Sequence, residues 1–328
     1  VPSLEHSICV GGSTPFADEY EESVARAQSS SPPQIDIAED DGHSIYFTSG
    51  STGAPKAILL SQRSWLAVVR NHLMETYATS GINDVLLHAA PMTHASGSLV
   101  LAHLVRGARQ TFLKRFEPAA VLNSFRRDNV PTTWLAPTML MMVFENEGSG
   151  GPFPNLRSVR FGGGPMAAPR IKEAVERWGP VFCSGWGQWE APQQCPFFSQ
   201  SQIAQAATSG PVERLASVGL PMAFTKLAVA GEDDTILPAG AEGEIVVAGD
   251  HPMVEDLGEP PATPALRFGP WQRTGDMGRV DADGFVYLTG RKRELIVSGG
   301  SNVSPRDVEN VLHAHPEILE AIVIRRPD

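Results

Sequence analysis

Three observations predict an α/β protein in which a parallel α/β part precedes a smaller, mostly β unit. Short apolar strands alternate with helical patterns through residues 1–209, which predicts a parallel sheet covered on both faces. From about residue 210 the pattern turns to β-hairpins, placing a β-rich unit at 210–292. The last clear helix then opens with a Ser-Pro start signal at Ser304-Pro305.

The elements follow in order. A strand at Ser7–Val10 leads into an acidic, Ser/Pro-rich connector ending "AEDDGH". A strand at Ile45–Thr48 enters a Gly loop, and Trp65, Leu66, Val68, Val69, His72 and Leu73 recur at helical spacing. Strands are then predicted at "DVLLHAAP", "ARQTFLK", "PTTWLA", "LRSVRFGGG" and "PVFCSGW". Helices are predicted between them, at "GSLVLAHLVRG", "EPAAVLNSFRRDN", "PTMLMMVFEN" and "APRIKEAVERWG". Ligand sites in such folds lie at the carboxyl ends of the strands. "TKLAVAGEDDTILPAGAEGEIVVAG" and "GRVDADGFVYLTGR" read as hairpins, the second turning at Asp283-Gly284. The final helix has Ser304 as N-cap, Pro305 at its first position, Asp307 in its first turn and an apolar stripe of Val308, Val311 and Leu312. A last strand is expected at Ala321–Ile324.

Composition narrows the function classes. The 328 residues are 42% apolar and 19% charged, enough for a sizeable core. A net charge of -11 argues against nucleic acid as the main partner. The three cysteines, Cys9, Cys183 and Cys195, have no metal-like spacing, so a reducing, cytoplasmic location is expected. The longest apolar run, Trp134–Phe144, is too short to span a bilayer. Val1 in place of Met implies that the native start lies elsewhere.

The stretch "YFTSGSTGAPKAILLS" carries the chemistry. It is not a Walker A loop, because Ala54-Pro55 separates Gly53 from Lys56 and no hydroxyl follows the lysine. The physics is shared, however. Gly50 and Gly53 let backbone N–H groups turn toward an anion, Thr48, Ser49, Ser51 and Thr52 add hydroxyl donors, and Lys56 adds a mobile positive charge.

"YFTSGSTGAPKAI" resembles the phosphate-loop motif of the adenylate-forming superfamily, and further motifs follow in that family's order. "PMTHASG" (91–97) resembles its Pro-x-x-His-x-x-Gly segment and implies His94 beside the acyl carboxylate. "RFGGGPM" (160–166) resembles the strand-to-Gly turn that passes adenine and the acyl group, implicating Gly162, Gly163 and Gly164. "GWGQWEAP" (185–192) resembles Tyr-Gly-x-Thr-Glu. It implies Trp186 stacked on adenine, Gly187 and Gln188 beside the nucleotide, and Glu190 as the Mg2+ ligand. Trp189 stands where the family has threonine. "RTGDMG" and "TGRKREL" imply Asp276 on the ribose hydroxyls and Arg291 on ribose or phosphate. Arg293 falls at the hinge, where Asp or Lys is usual. "SGGSNVSPRDVE", with Gly299 and Gly300, looks more like the acyl-CoA ligase branch, where this loop lines the pantetheine channel.

The resemblance implies an acyl-CoA synthetase-like fold, incomplete at both ends: an α/β subdomain, a β-barrel-like subdomain and the start of an α+β C-terminal lid at 293–328. It implies an AMP-forming carboxylate–CoA ligase using ATP, Mg2+ and CoA, with Lys56, His94 and Glu190 as catalytic groups. No lysine follows Lys292, so the family's late-lid lysine is missing and residues 1–328 alone are not expected to adenylate efficiently. An amino-acid-adenylating domain that loads a carrier protein is the nearest rival, but "HAAPMTHASGSL" holds no acidic residue to meet an amino group. A non-catalytic nucleotide-binding remnant is the other. A homodimer is compatible with either, and the acid itself stays open.

Overall fold

Alternating strands and helices build a seven-stranded sheet with helices on both faces. In this computed structural model the described residues are 6–27, 34–48, 56–76, 80–127, 130–148, 153–192, 195–257, 266–292, 294, 296–298, 301–313, 315, 318 and 321–324. Contacts divide the chain into units Val1–Ala38 and Glu39–Asp328. In the first unit β1 (Ile8–Cys9) pairs in parallel with β2 (Asp18–Glu19), and α1 (Tyr20–Arg26) follows. The Glu19 carboxylate caps that helix by accepting the Glu22 amide.

The second unit opens with β3 (Gly42–Thr48) and β4 (Lys56–Ser61), which pair antiparallel. Helix α2 (Gln62–Asn71) starts where the Ser61 hydroxyl accepts the Ser64 amide, and it runs on as a π-helical turn over His72–Thr76. Then β5 (Val85–His88), α3 (Val100–Val105), β6 (Arg109–Phe112), α4 (Pro118–Arg127), β7 (Thr132–Leu135), α5 (Pro137–Asn146), β8 (Ser158–Phe161), α6 (Ala168–Trp178) and β9 (Phe182–Gly185) alternate. These strands are parallel, in the order β6-β5-β7-β8-β9. The expected parallel sheet is present and carries a short antiparallel extension at its β9 edge. Beyond β9, strand β10 (Pro196–Phe198) runs antiparallel to β9, and after α7 (Gln200–Thr208) strand β11 (Leu220–Pro221) runs antiparallel to β10. No crossover helix lies among the described residues of the short connection 186–195, and β10 returns in the opposite direction.

Period-2 patterning sorts the strand residues between two layers. Leu87, Leu135, Val159, Phe161 and Phe182 pack against Phe125, Phe144, Trp178 and Ile203 on α4–α7. Leu86 and Trp134 face the other way, onto Val69 of α2 and Leu99 and Ala102 around α3. Each fully buried side chain of this size contributes about 1.5–3 kcal/mol, so two-sided burial holds the strands in register. Strand β5 has β6 on one side and β7 on the other, so the chain reverses its direction of travel across the sheet there. The carboxyl ends of β5 and β7 are therefore a topological switch point, where α/β folds bind ligands.

The β-rich part comprises β12 (Thr225–Ala230), β13 (Glu242–Gly249), β14 (Glu255–Asp256), β15 (Arg267–Phe268), β16 (Trp271–Val280) and β17 (Val286–Arg291). Strands β12-β13-β16-β15 form an antiparallel sheet with β17 paired to β16, whereas β14 joins β4. The expected Asp283-Gly284 turn is present, with Gly284 at φ +87° and the Asp281 carboxylate accepting the Asp283 and Phe285 amides. Strands β18 (Ile296–Ser298) and β19 (Ser301–Val303) pair before α8 (Pro305–His313), which starts at the expected proline. The Ser304 hydroxyl donates to the Thr289 carbonyl and so ties α8 to β17. Val308 and Val311 of the expected stripe are 38% and 74% exposed. Ala321–Ile324 is not a strand: no ladder forms with it among the described residues, and the Val323 amide donates to the Glu309 carboxylate instead. No helix among the described residues is long and apolar enough to cross a membrane.

Candidate active site

Part of the expected site set lies at the carboxyl ends of the parallel strands. His94 follows β5, Gly162–Gly164 follow β8, and Trp186–Glu190 follow β9. Two adjoining cavities, about 280 and 750 Å³, share the Gly162–Gly164 turn, Gly187, Gln188 and Arg291 as walls. The larger opens at the switch point, between His94 and Ala136-Pro137-Thr138. The glycine turn has two local causes. A Cβ on Gly162 would lie 2.9 Å from the Gly185 carbonyl, and Gly163 has φ +80°. Gly164 has open space beside it, which leaves room for a flat ligand.

The smaller cavity is organised by a buried carboxylate. Asp276 on β16 is 6% exposed. It accepts from Trp186 Nε1 at 2.8 Å and from Arg291 Nε at 3.2 Å. The β16–β17 register sets Asp276 opposite Arg291. Burial pushes the Asp276 carboxyl up from the usual range, opposed by the Arg291 charge, the Trp186 hydrogen bond and the Arg306 charge. Trp186, expected to stack on adenine, thus has its indole N–H committed to Asp276, which fixes the ring as a cavity wall. Gln188 Nε2 donates to the Thr274 carbonyl at 2.8 Å and anchors the post-β9 loop on β16.

The phosphate-loop end is built on β3, β4 and β14. Thr48 lines the larger cavity and stands opposite Lys56 in the β3–β4 register. Lys56, expected to add a mobile positive charge, has its Nζ 3.1 Å from Asp256 Oδ2. Trp189 stacks on Tyr46, with ring centroids 3.7 Å apart and planes at 7°. The pair covers Ile58, Leu60 and Met253, so the indole packs where the family's threonine hydroxyl was expected to face phosphate. Trp189→Ala is expected to cost about 1–2 kcal/mol through the lost stack and its packing, and Trp189→Phe under half of that. Urea midpoints check this, and equal midpoints for all three proteins would refute it.

Glu190 is half-buried on the larger cavity, and its backbone carbonyl accepts the Met253 amide at 2.9 Å. His94 is exposed at the same cavity, with Nδ1 3.2 Å from Thr93 Oγ1. Ser49, Gly50, Ser51, Thr52, Gly53, Arg293, Gly299 and Gly300 lie outside the described residues. No group of three or more His, Cys, Asp or Glu among the described residues could hold a metal alone. A single carboxylate, Glu190, on the wall of the larger cavity does suit Mg2+, which binds through one or two carboxylates together with substrate phosphates. Sequence reading missed Asp256, the Tyr46 stack, and Arg306 and Glu309 of α8, which line the cavities. None of the four carries a local signal, since each acts through a partner distant in the chain.

The profile of the family described as AMP-binding enzyme matches residues 2–254. Feruloyl-CoA synthase from Amycolatopsis sp is 30% identical over 348 residues, covering 100% of this chain and 69% of that protein. The amide bond synthetase McbA from Marinactinospora thermotolerans superposes with a TM-score of 0.86 at 28% identity, covering 99% of this chain and 63% of that one. The o-succinylbenzoate coenzyme A synthetase from Bacillus subtilis, in complex with ATP and magnesium ion, gives 0.79 at 28% identity. That match covers 92% of this chain and 61% of the synthetase, so this chain spans 61–69% of the three relatives' lengths.

Proposed function

Because the chain belongs to the AMP-binding enzyme family, we propose that it serves ATP-dependent activation of a carboxylic acid to an acyl-adenylate, which coenzyme A then converts to an acyl-CoA. The observation that carries this reading is the Trp186–Asp276–Arg291 network on the wall of the smaller cavity, next to the Gly162–Gly164 turn. A desolvated carboxylate beside an arginine suits a ribose diol and its adjoining phosphate. The larger cavity, with His94 at its mouth, suits the acid.

In the first step a carboxylate oxygen attacks the α-phosphorus of ATP. The bond from that phosphorus to the β-phosphate bridging oxygen breaks, and pyrophosphate leaves with its electron pair. Lys56 and the phosphate-loop donors offset charge on the phosphates, and His94 orients the acid. Magnesium, held on Glu190 and phosphate oxygens, would supply further neutralisation of that charge. In the second step the CoA thiol, losing its proton to solvent, attacks the acyl carbon; the C–S bond forms, the acyl C–O bond breaks and AMP leaves with that electron pair. CoA as acceptor, rather than a carrier-protein pantetheine, is favoured by the feruloyl-CoA synthase likeness across the whole chain. A cytoplasmic setting, where ATP and CoA are both present, and domain borders near 209 and 292 belong to the same reading.

The test is ATP–pyrophosphate exchange over a panel of aromatic, aliphatic, dicarboxylic and amino acids, with calorimetric ATP binding alongside. ATP binding is the expected result for residues 1–328, and exchange that depends on one class of acid, followed by thioester formation on adding CoA, is expected of the protein with a complete lid. A chain that binds no ATP would overturn it. Transfer to an amine or to a carrier protein in place of CoA would keep adenylation and replace the acceptor.

A further inference from the structure

One short strap, residues 252–257, touches the Lys56 ammonium and the backbone of Glu190. Its Met253 amide donates to the Glu190 carbonyl at 2.9 Å. Its Val254 and Leu257 amides donate to the Leu59 and Ala57 carbonyls of β4 at 2.9 and 2.8 Å. The Ser64 hydroxyl donates to its Pro252 carbonyl at 3.0 Å. The strap is thus sewn onto the strand that begins with Lys56, and its register sets Asp256 opposite Ile58. Ile58 is two residues along β4 from Lys56, so both share one face with Asp256. On that face the Asp256 carboxylate meets the Lys56 ammonium at 3.1 Å.

Exposure gives the pair a direction. The Asp256 side chain is 1% exposed and that of Lys56 27%. The carboxylate is shut away behind the ammonium, so an anion arriving from solvent meets the cation first. A lysine has three N–H donors, and this bond uses one, leaving donors for a phosphate. Thr48, facing Lys56 across the β3–β4 pair, carries the arrangement to the wall of the larger cavity.

We propose that Asp256 is a positioning residue: it holds the Lys56 ammonium in place for the triphosphate, on the same strap that braces the Glu190 backbone. The inference rests on the adenylation reading above. Without the carboxylate, Lys56 is a flexible four-carbon chain that must be ordered when nucleotide binds. With it, that ordering is complete beforehand.

The test uses the whole protein and four variants: Asp256→Asn, Asp256→Glu, Lys56→Ala, and the Lys56→Ala/Asp256→Asn double. ATP affinity is measured by calorimetry, KM for ATP and for the acid by exchange, and folding by urea midpoint. Asp256→Asn is expected to raise the Kd and KM for ATP about tenfold, with KM for the acid within twofold. Asp256→Glu should recover part of that loss. In the Lys56→Ala background, Asp256→Asn should add less than about twofold, because the residue it positions is gone. A lowered urea midpoint with ATP affinity unchanged makes the pair a structural ion pair and overturns the inference alone. An Asp256→Asn effect that persists undiminished without Lys56 does the same. Wild-type protein that binds no ATP would instead overturn the adenylation reading, and this inference with it.

Discussion

Replacing Asp276 by alanine is expected to weaken ATP binding about 100-fold while leaving the affinity for the carboxylic acid within twofold. The size follows from charge and burial together. Asp276 is 6% exposed and already accepts from Trp186 and Arg291. A carboxylate has about four lone-pair sites, so two well-placed ribose hydroxyls can still donate to it. Hydrogen bonds to a charged group contribute about 1.5–3 kcal/mol each, and losing them accounts for a drop of two orders of magnitude. Alanine also strands the Trp186 N–H and releases Arg291 from its place opposite on β17. Asparagine separates these effects. Its amide oxygen can still accept from the Trp186 indole, but the attraction for Arg291 is gone, so Asp276→Asn should fall between wild type and alanine. Calorimetric titration with ATP and Mg2+ decides it. An unchanged ATP Kd in a folded Asp276→Ala protein would remove this carboxylate from the nucleotide site.

What could be read in advance was local. The parallel strands β5 to β9 announce themselves through short apolar runs closed by Gly, Pro or Asp, and those signals need only neighbouring residues. The Gly162–Gly164 turn and the Gly185–Glu190 loop were legible as motifs for the same reason, because each motif is contiguous in the chain, whereas their contacts, such as Gln188 to Thr274 and Trp186 to Asp276, were not. The ends of the pattern were harder. Strand β10 reverses direction with no helix among the described residues of 186–195, β11 reverses again after α7, and an apolar triplet such as Pro196–Phe198 carries no mark of strand direction. Ala321–Ile324 has strand composition yet gains no ladder partner among the described residues, and pairing rather than composition makes a strand. Trp189 shows the limit most clearly. Read against a motif it is a misfit for threonine, but beside Tyr46 it is half of a stacked pair on the β3–β4–β14 sheet. The Lys56–Asp256 bond joins residues 200 positions apart through β14, a strand of two residues with no periodicity to read.

Stability is expected to fall steeply as pH drops from 6.5 toward 4, and buried histidines are the reason. His251 is 1% exposed, its Nε2 lies 3.3 Å from Cys195 Sγ, and its Nδ1 has no hydrogen-bond partner among the described residues. Burial pushes its pKa down from 6.5 to about 4, only weakly opposed by Asp250. His72, fully enclosed and facing the charges of Arg160 and His103, is pushed well down too, first by burial and then by those charges. Burial also lowers His88 and His103. In this window the unfolded chain takes up protons that the folded chain refuses. Stability therefore rises with pH: the contribution is fully present above 6.5 and is lost as pH falls through the window. A shift from 6.5 to about 4 corresponds to about 3 kcal/mol for His251 alone. Asp276 acts in the other sense, since its raised pKa makes the folded state bind a proton more readily at low pH. Urea midpoints at pH 7.5, 6 and 5 measure the net slope. His251→Gln, which cannot take up the proton, should flatten that slope even where it lowers the midpoint at pH 7.5. A variant slope equal to the wild-type one would shift the acid sensitivity from the Cys195–His251 contact to the His72–Arg160 layer under α2.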